Sequence, residues 1–421
     1  MIPGLKAIVL KRFHSIFLER VELSNPTLVV GCNGSGKSNL VDVFAFLSEI
    51  TELPLQTVID RRGGVYSLVA RRPGERLMPR SRAGEWFLVS GSETVEPVLG
   101  IRAEFENLPG PRSGNQHGHF AFELRMLSRY TYRVLREQCA IHGPDGTSWY
   151  DRGEGSLESN VEFLKGFKPK FLSPSSLIFH VVGGIYPFFF VQQFLKAMTV
   201  YSIDPARLRN MQDPDIGTSL RSNGSNATSV LAEILEQSPE DGQRICEVLA
   251  AISPGMKRVF RVRQGKQLSL RFVQEWGEKK TLDFDAFSMS DGTLRALGLI
   301  LAVYQHYKPS VIVIEEPEAS IHPGALGVIL DILRHAAKEM QVVITTHSPD
   351  VLDAKWVREE SLRMVTVEDG ITRVSGLSEF SLTALREHLM GAGELLRSNS
   401  LEPAPPPLFD ELDSRQVSLF E

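Results

Sequence analysis

The stretch Val29-Val30-Gly31-Cys32-Asn33-Gly34-Ser35-Gly36-Lys37-Ser38-Asn39-Leu40 decides how this chain is read. Residues 31–38 spell a complete G-x-x-x-x-G-K-S phosphate loop. The apolar run Leu28-Val29-Val30 before it reads as a buried strand, and residues 38–47 behind it carry apolar side chains at helical spacing. Gly31, Gly34 and Gly36 let the backbone turn tightly and aim N–H groups at phosphate oxygens. The start of the helix adds its positive end. Lys37 is placed to reach the β- and γ-phosphates, and Ser38 to put a hydroxyl on Mg²⁺.

At 421 residues the chain has room for two or three compact units, or for one domain with a large insertion. Its 42% hydrophobic and 23% charged residues are ordinary for a globular protein. A formal charge of −5 argues against a general nucleic-acid coat but leaves room for a local basic face. Cys32, Cys139 and Cys246 have no metal-ligand spacing and fit a reducing, cytoplasmic setting. The start, MIPGLKAIVLKRF, has early charge and no cleavage pattern, so no signal peptide is expected. The most apolar window, residues 176–191, is too short for a bilayer and holds Gly183, Gly184 and Pro187. It reads as buried core or as a covered interface, and no membrane partner is expected.

Along the chain, residues 5–13 and 15–23 form strand-like runs leading into the phosphate-loop strand. Arg61, Arg62, Arg71, Arg72, Arg76, Arg80 and Arg82 follow, with Glu75 the sole acid between 61 and 82. This is either a solvated loop or a basic surface for nucleic acid or for nucleotide charge in trans. Residues 84–151 hold short strand candidates separated by turn signals, which suggests an antiparallel sheet beside a parallel one. Residues 161–200 read as mainly helical, 210–226 as a polar loop, and 229–237 and 240–252 as amphipathic helices. Residues 257–274 read as a hairpin around Gln264-Gly265. Neither repeats nor sustained heptads are present, so no long coiled coil is expected.

A second constellation lies downstream. In Phe287-Ser288-Met289-Ser290-Asp291-Gly292-Thr293 a small polar loop runs into a helix, so Ser290 and Gly292 either cap that helix or meet an anion. Residues 310–318, SVIVIEEPE, form an apolar strand ending in acids, the place where α/β sheets bind ligands. Glu315 is placed to hold Mg²⁺ through water and Glu316 to polarise an attacking water, while Glu318 reads as positional or exposed. Residues 341–349, QVVITTHSP, end a further strand in His347, placed to meet the γ-phosphate or to orient water.

The order of phosphate loop, S-M-S-D-G-T, hhhhE-E-P-E, A-S-I-H-P and T-T-H-S-P resembles the ABC-type ATPase family, in its RecF- and SMC-like branch of chromosomal and defence ATPases. Asn33, Asn39, the E-E-P-E form and His322-Pro323 point to that branch, and 201–209 (YSIDPARLR) is similar to a subgroup of predicted ATPases. The resemblance implies an α/β ABC-type head with a central, mainly parallel sheet, an antiparallel β subdomain and a helical insertion. It implies a nucleotide core at 1–60 and 281–375, an inserted lobe at 61–280, and one head spanning 1–397. It also implies ATP and Mg²⁺ sandwiched by a head-to-tail homodimer. Gly31, Asn33, Gly34, Ser35, Gly36, Lys37 and Ser38 would hold nucleotide, Ser38 and Glu315 the metal, and Glu316 and His347 the chemistry. Ser290 and Gly292 would reach the γ-phosphate from the second protomer, with residues 319–322 as the D-loop. Met289-Ser290-Asp291-Gly292-Thr293 stands where the family usually has L-S-G-G-Q, and Glu315 where it has aspartate, which points to slow turnover. Gln192 or Gln193 is a candidate for the glutamine loop by chain order, and Arg61 or Arg62 for a basic loop sent toward nucleotide.

Composition turns to Ser, Pro, Glu and Asp from Ser398, so 398–421 reads as a disordered tail. Its Gln416-Val417-Ser418-Leu419-Phe420 resembles the peptide by which bacterial replication proteins dock on a sliding clamp. The other reading is an amphipathic tail that docks on its own head or on a partner. The function expected is an ATP-hydrolysing, DNA-associated switch in repair, recombination or antiphage defence. The alternative is an ATP-dependent sensor that controls a separate effector protein without binding DNA. The acids after His347 are too few for a metal-nuclease domain.

Overall fold

The computed structural model describes residues 2–79, 85–91, 93–110, 114–165, 173–276, 280–405 and 419–420. The chain separates into two compact units: Met1–Met198 with Glu359–Thr383 and Glu402–Glu421, and Thr199–Arg358 with Ala384–Leu401. Arg80, Arg82 and Gln416, singled out above, lie outside the described residues.

In the first unit the strands lie side by side in the order Leu157–Ser159, Gly146–Arg152, Tyr132–Gly143, Gln116–Met126, Val98–Leu108, Gly4–Phe13, Ile16–Glu22, Ile371–Ser375, Leu362–Glu368 and Thr27–Val30. Neighbours are antiparallel from Leu157–Ser159 through Ile16–Glu22. The late hairpin Leu362–Glu368/Ile371–Ser375 is then inserted in parallel against both Ile16–Glu22 and Thr27–Val30. Thr27–Val30 is buried throughout, as its unbroken apolar run requires. The phosphate-loop helix Lys37–Glu49 turns Leu40, Val43, Phe44, Phe46 and Leu47 inward. A chain of rings binds it to the sheet: Phe13 edge-on to Phe46 at 5.7 Å, Phe46 on Phe122 at 6.1 Å, and Phe120 stacked on Phe179 at 4.3 Å.

Residues 176–191 supply core. Leu177, Ile178, Phe179, Val182, Phe188 and Val191 are buried, while Val181, Tyr186 and Phe189 reach solvent. Both glutamine-loop candidates sit on the helix Phe188–Lys196, and the Gln192 side chain packs against Gly183. The short helix Phe179–Val182 starts over a buried carboxylate. Glu137, fully buried, accepts from the Ile178 N–H at 2.6 Å, the Phe179 N–H at 2.8 Å and the Tyr150 hydroxyl at 2.9 Å, with Arg152 at 3.5 Å.

The second unit has parallel strands in the order Gln341–Thr346, Val311–Glu315 and Thr199–Tyr201. Val311, Ile312, Val313 and Ile314 are wholly buried, as are Leu294, Leu297, Ile300 and Leu301 of the helix Asp291–Tyr304. Helices Ala227–Gln237, Pro239–Ile252 and Pro323–Ala336 and an antiparallel sheet of Met256–Gln264, Gln267–Trp276 and Lys280–Asp285 complete it. The α/β architecture with its antiparallel subdomain is as the sequence predicts. The longest described helices have 14 residues, so no long coiled coil is present among the described residues. Nor is any described helix long and apolar enough to cross a membrane.

The composition change at Ser398 does not start disorder at that point. Leu401 is buried, the Ala404 N–H reaches the Gly376 carbonyl, and Pro403 bridges to Leu377. Apolar residues spaced through a polar segment still find a surface, which composition alone does not register. Leu419 and Phe420 are also placed, on the sheet of the first unit.

The Glu137 cluster makes a stability prediction. Glu137→Ala leaves two N–H groups, a phenol and the Arg152 charge without their acceptor, and should cost about 3–5 kcal/mol. Glu137→Gln keeps one acceptor oxygen and should cost less. Urea unfolding of the three proteins, compared at one pH, checks the order.

Candidate nucleotide site

The phosphate loop is set by positive φ at Gly34 (79°) and Gly36 (98°), a region side chains resist. Gly36 is the N-cap of Lys37–Glu49 and supplies no side-chain cap, which leaves the first N–H groups of the helix pointing into the loop. Lys37 is buried, and its Nζ donates to the carbonyls of Gly31 at 2.7 Å and Cys32 at 3.1 Å. The buried Ser35 Oγ has no partner. An ammonium folded onto the loop's own carbonyls, open N–H groups and an orphaned hydroxyl together fit a phosphate chain. Asn33, Gly34 and Ser38 are exposed at the rim, so the Ser38 hydroxyl is open to a hydrated cation.

The loop is propped by residues its motif does not contain. Thr372 Oγ1 donates to the Ser35 carbonyl at 3.2 Å and lies 2.6 Å from Ser15 Oγ, which in turn accepts from Asn39 Nδ2 at 2.6 Å. A methyl at Gly36 would collide with the Thr372 side chain, and one at Gly31 with the Val365 carbonyl. Asn39 is therefore a strut of the loop. Arg62 belongs to the scaffold as well. It is paired with Asp42 at 2.7 Å and Glu49 at 2.9 Å, and Asp42 also meets His14 at 2.9 Å. Burial works against the Asp42 charge, but the bonds to His14 and Arg62 outweigh it and hold the carboxyl below its ordinary pKa. Arg61 stays exposed.

In the second unit the strand Val311–Glu315 delivers Glu315 and Glu316 at its carboxyl end. Glu316 has φ of 44°, rare for a side-chain-bearing residue. Its N–H donates to the Thr345 carbonyl at 3.0 Å and its carbonyl accepts from Arg295 at 3.1 Å, so both ends of the strained residue are tied. His347 Nδ1 lies 3.2 Å from Glu316 Oε1, within hydrogen-bonding distance. Glu318 is positional. Its Oε1 accepts from the Thr346 hydroxyl at 2.7 Å and the His347 N–H at 3.3 Å, and its buried Oε2 has no partner.

Ser290 is the N-cap of Asp291–Tyr304 and accepts from the Thr293 N–H at 3.2 Å. Gly292 lies so close to Ser320 that a methyl would strike its carbonyl oxygen. The loop of residues 288–293 thus rests directly on the segment 319–322, where Ser320 has φ of 63°.

Arg295, absent from the residues singled out by sequence, ties these parts together. It donates to the carbonyls of Ile203 and Glu315, each at 3.0 Å, besides that of Glu316. Burial pulls its pKa down from the ordinary arginine value, opposed by the charges of Glu316, Glu318 and Glu315. Residues 201–209 brace the same helix. Tyr201 OH accepts from Gln305 Nε2 at 2.7 Å, Ile203 packs against Gly298, and Arg209 reaches Asp291 and the Met289 carbonyl. The only available signal for Arg295 is its place one turn into a helix that follows a polar loop.

Residues 214–353 match the family described as AAA domain, putative AbiEii toxin, Type IV TA system. Over 88 residues, 20% of this chain, the sequence is 34% identical to the phosphonates import ATP-binding protein PhnC of Lactiplantibacillus plantarum. The match spans 34% of that relative's length. Among solved structures, an Smc head domain of Pyrococcus furiosus, bound to the C-terminal domain of ScpA, matches with 14% identity and a TM-score of 0.49, over 92% of this chain and 100% of that one. The SMC head domain of Thermotoga maritima matches with 15% identity and a TM-score of 0.42, over 89% and 99%. The family match, the ATP-binding relative and the motifs agree on the class: an ABC-type ATPase fold.

The loop makes its own prediction. Gly36→Ala, disfavoured by φ and by Thr372, should weaken binding of a fluorescent ATP analogue at least about tenfold. Thr372→Ala, which removes only the prop, should weaken it less.

Proposed function

We propose that the chain binds ATP and hydrolyses it slowly in a head-to-tail homodimer, and that this cycle acts as a DNA-associated switch in repair, recombination or antiphage defence. The observation that carries the catalytic reading is the Glu316–His347 pair, held on strained backbone at the end of a buried strand. Lys37 and the loop N–H groups bind the phosphates, and Ser38 and Glu315 hold Mg²⁺. The metal supplies charge neutralisation for the phosphates. Glu316 takes the proton of the attacking water, and His347, with Nδ1–H on Glu316, keeps Nε2 free to face the γ-phosphate side. Ser290 and Gly292 of the second protomer complete the site. The Ser290 oxygen caps its helix and lies 2.9 Å from Thr293 Oγ1, and with Thr293 as the donor the Ser290 hydroxyl hydrogen is left for a phosphate oxygen. Slow turnover fits the departures at residues 289–293 and at Glu315.

Support for nucleic acid comes from stacked arginines in the first unit. Arg71 lies over the Tyr66 ring at 4.6 Å and donates to its hydroxyl at 2.8 Å. Arg129 lies over Tyr66 at 5.4 Å and Tyr130 at 5.6 Å. Arg71, Arg129 and Tyr130 are exposed, and such cation–aromatic arrays suit phosphates and unstacked bases. Arg72 instead lies over Phe17 at 3.9 Å. A sliding clamp that takes Gln416, Leu419 and Phe420 has to draw Leu419 from a position 1% exposed.

Glu316→Gln should lower ATP turnover at least about a hundredfold and accumulate an ATP-dependent dimer. Unchanged turnover and unchanged sedimentation with ATP would refute the catalytic and dimer assignments. In parallel, Arg71→Ala/Arg129→Ala should weaken single-stranded DNA binding and flatten its dependence on salt. Absent DNA binding, with a stable complex to another protein, favours control of a separate effector.

A further inference from the structure

The outer face of the antiparallel sheet in the first unit is a ladder of charges. Lys11 pairs with Glu123 at 2.8 Å, Arg102 with Glu104 at 2.9 Å, Arg20 with Glu104 at 2.7 Å, and Arg136 with Asp151. The ladder is interrupted at one place. Gly100 stands between Lys11 and Glu123 in its row and carries no side chain, and Ala121, diagonal to it on the adjoining strand, carries only a methyl. A glycine inside a long strand gives up side-chain packing and marks a close approach by something else.

That space is taken by this chain's own Leu419. Its Cδ1 occupies the position a methyl on Gly100 would need, and Leu419 is 1% exposed. Arg102 Nη1 donates to the Leu419 carbonyl at 2.7 Å while Nε of the same side chain holds Glu104. The Arg136 guanidinium lies over the Phe420 ring at 4.4 Å while bonded to Asp151. An apolar side chain in a side-chain-free dimple, a backbone hydrogen bond and a cation–π contact are independent modes of recognition, and they converge on two consecutive residues.

We propose that Leu419–Phe420 is a built-in ligand of this face, docked in cis on Gly100, Arg102 and Arg136. Any partner with an apolar pocket for a Leu-Phe pair therefore competes with the chain's own sheet. The assignment is independent of ATP hydrolysis.

Cysteine cross-linking of the full chain tests it. In a Cys32→Ser/Cys246→Ser background, with Cys139 buried, Gly100→Cys/Leu419→Cys should oxidise to a cross-linked monomer at least tenfold faster than a Glu158→Cys/Leu419→Cys control. Arg136→Cys/Phe420→Cys, which leaves the dimple intact, should be joined faster than the control by a short bis-maleimide that spans the space of the replaced Arg136 side chain, and stands in if Gly100→Cys fails to fold. A covalent dimer as the main product would place the segment on a second copy and overturn docking in cis. Cross-linking no faster than the control in either pair would overturn the docking itself.

Discussion

Burying a guanidinium is unfavourable unless its donors find acceptors and its charge is answered, and half-buried Arg295 meets most of that demand, with Nη1 and Nη2 bonded and only its Nε left without a partner. The bonded donors go to the carbonyls of Ile203, Glu315 and Glu316, and the charge is answered by three glutamates. The end of a parallel strand, a braced loop and the helix Asp291–Tyr304 are thereby fixed to one group. The positive φ of Glu316 persists because its neighbours over-determine it, through Arg295 on one side and Thr345 on the other. Gly292 closes the arrangement, since its missing side chain lets the loop of residues 288–293 lie on the Ser320 backbone.

Much of this was legible in the residues. A glycine loop between an apolar strand and a helix, and acids at the end of a fully apolar strand, are local patterns whose meaning does not depend on distant parts of the chain. The strands between 84 and 151 were visible through alternation and turns. The supports were not. Thr372 meets the phosphate loop from more than three hundred residues away, Arg295 lies in an ordinary helical sequence, and Glu318 becomes a positioning group only when the strand bearing Thr346 and His347 lies beside it. Composition misjudged residues 398–405, because a few buried contacts are enough to order a short polar segment.

Ser290 and Gly292 show how one residue meets two demands. The serine oxygen ends a helix, and the glycine admits the Ser320 backbone. These intramolecular reasons for the residue types hold whether or not a second protomer is present. Arg102 and Arg136 are divided in the same manner between the sheet's ion pairs and the docked Leu419–Phe420.

The contact between Thr372 and the phosphate loop bears on the order in which the molecule matures. Ser15, Asn39 and the loop leave the ribosome early, while the threonine that holds Ser35 and crowds Gly36 follows much later on an inserted parallel strand. A nascent chain displaying the whole glycine loop still lacks its prop. The prop is completed only when the hairpin of residues 362–375 is inserted between strands made at the start.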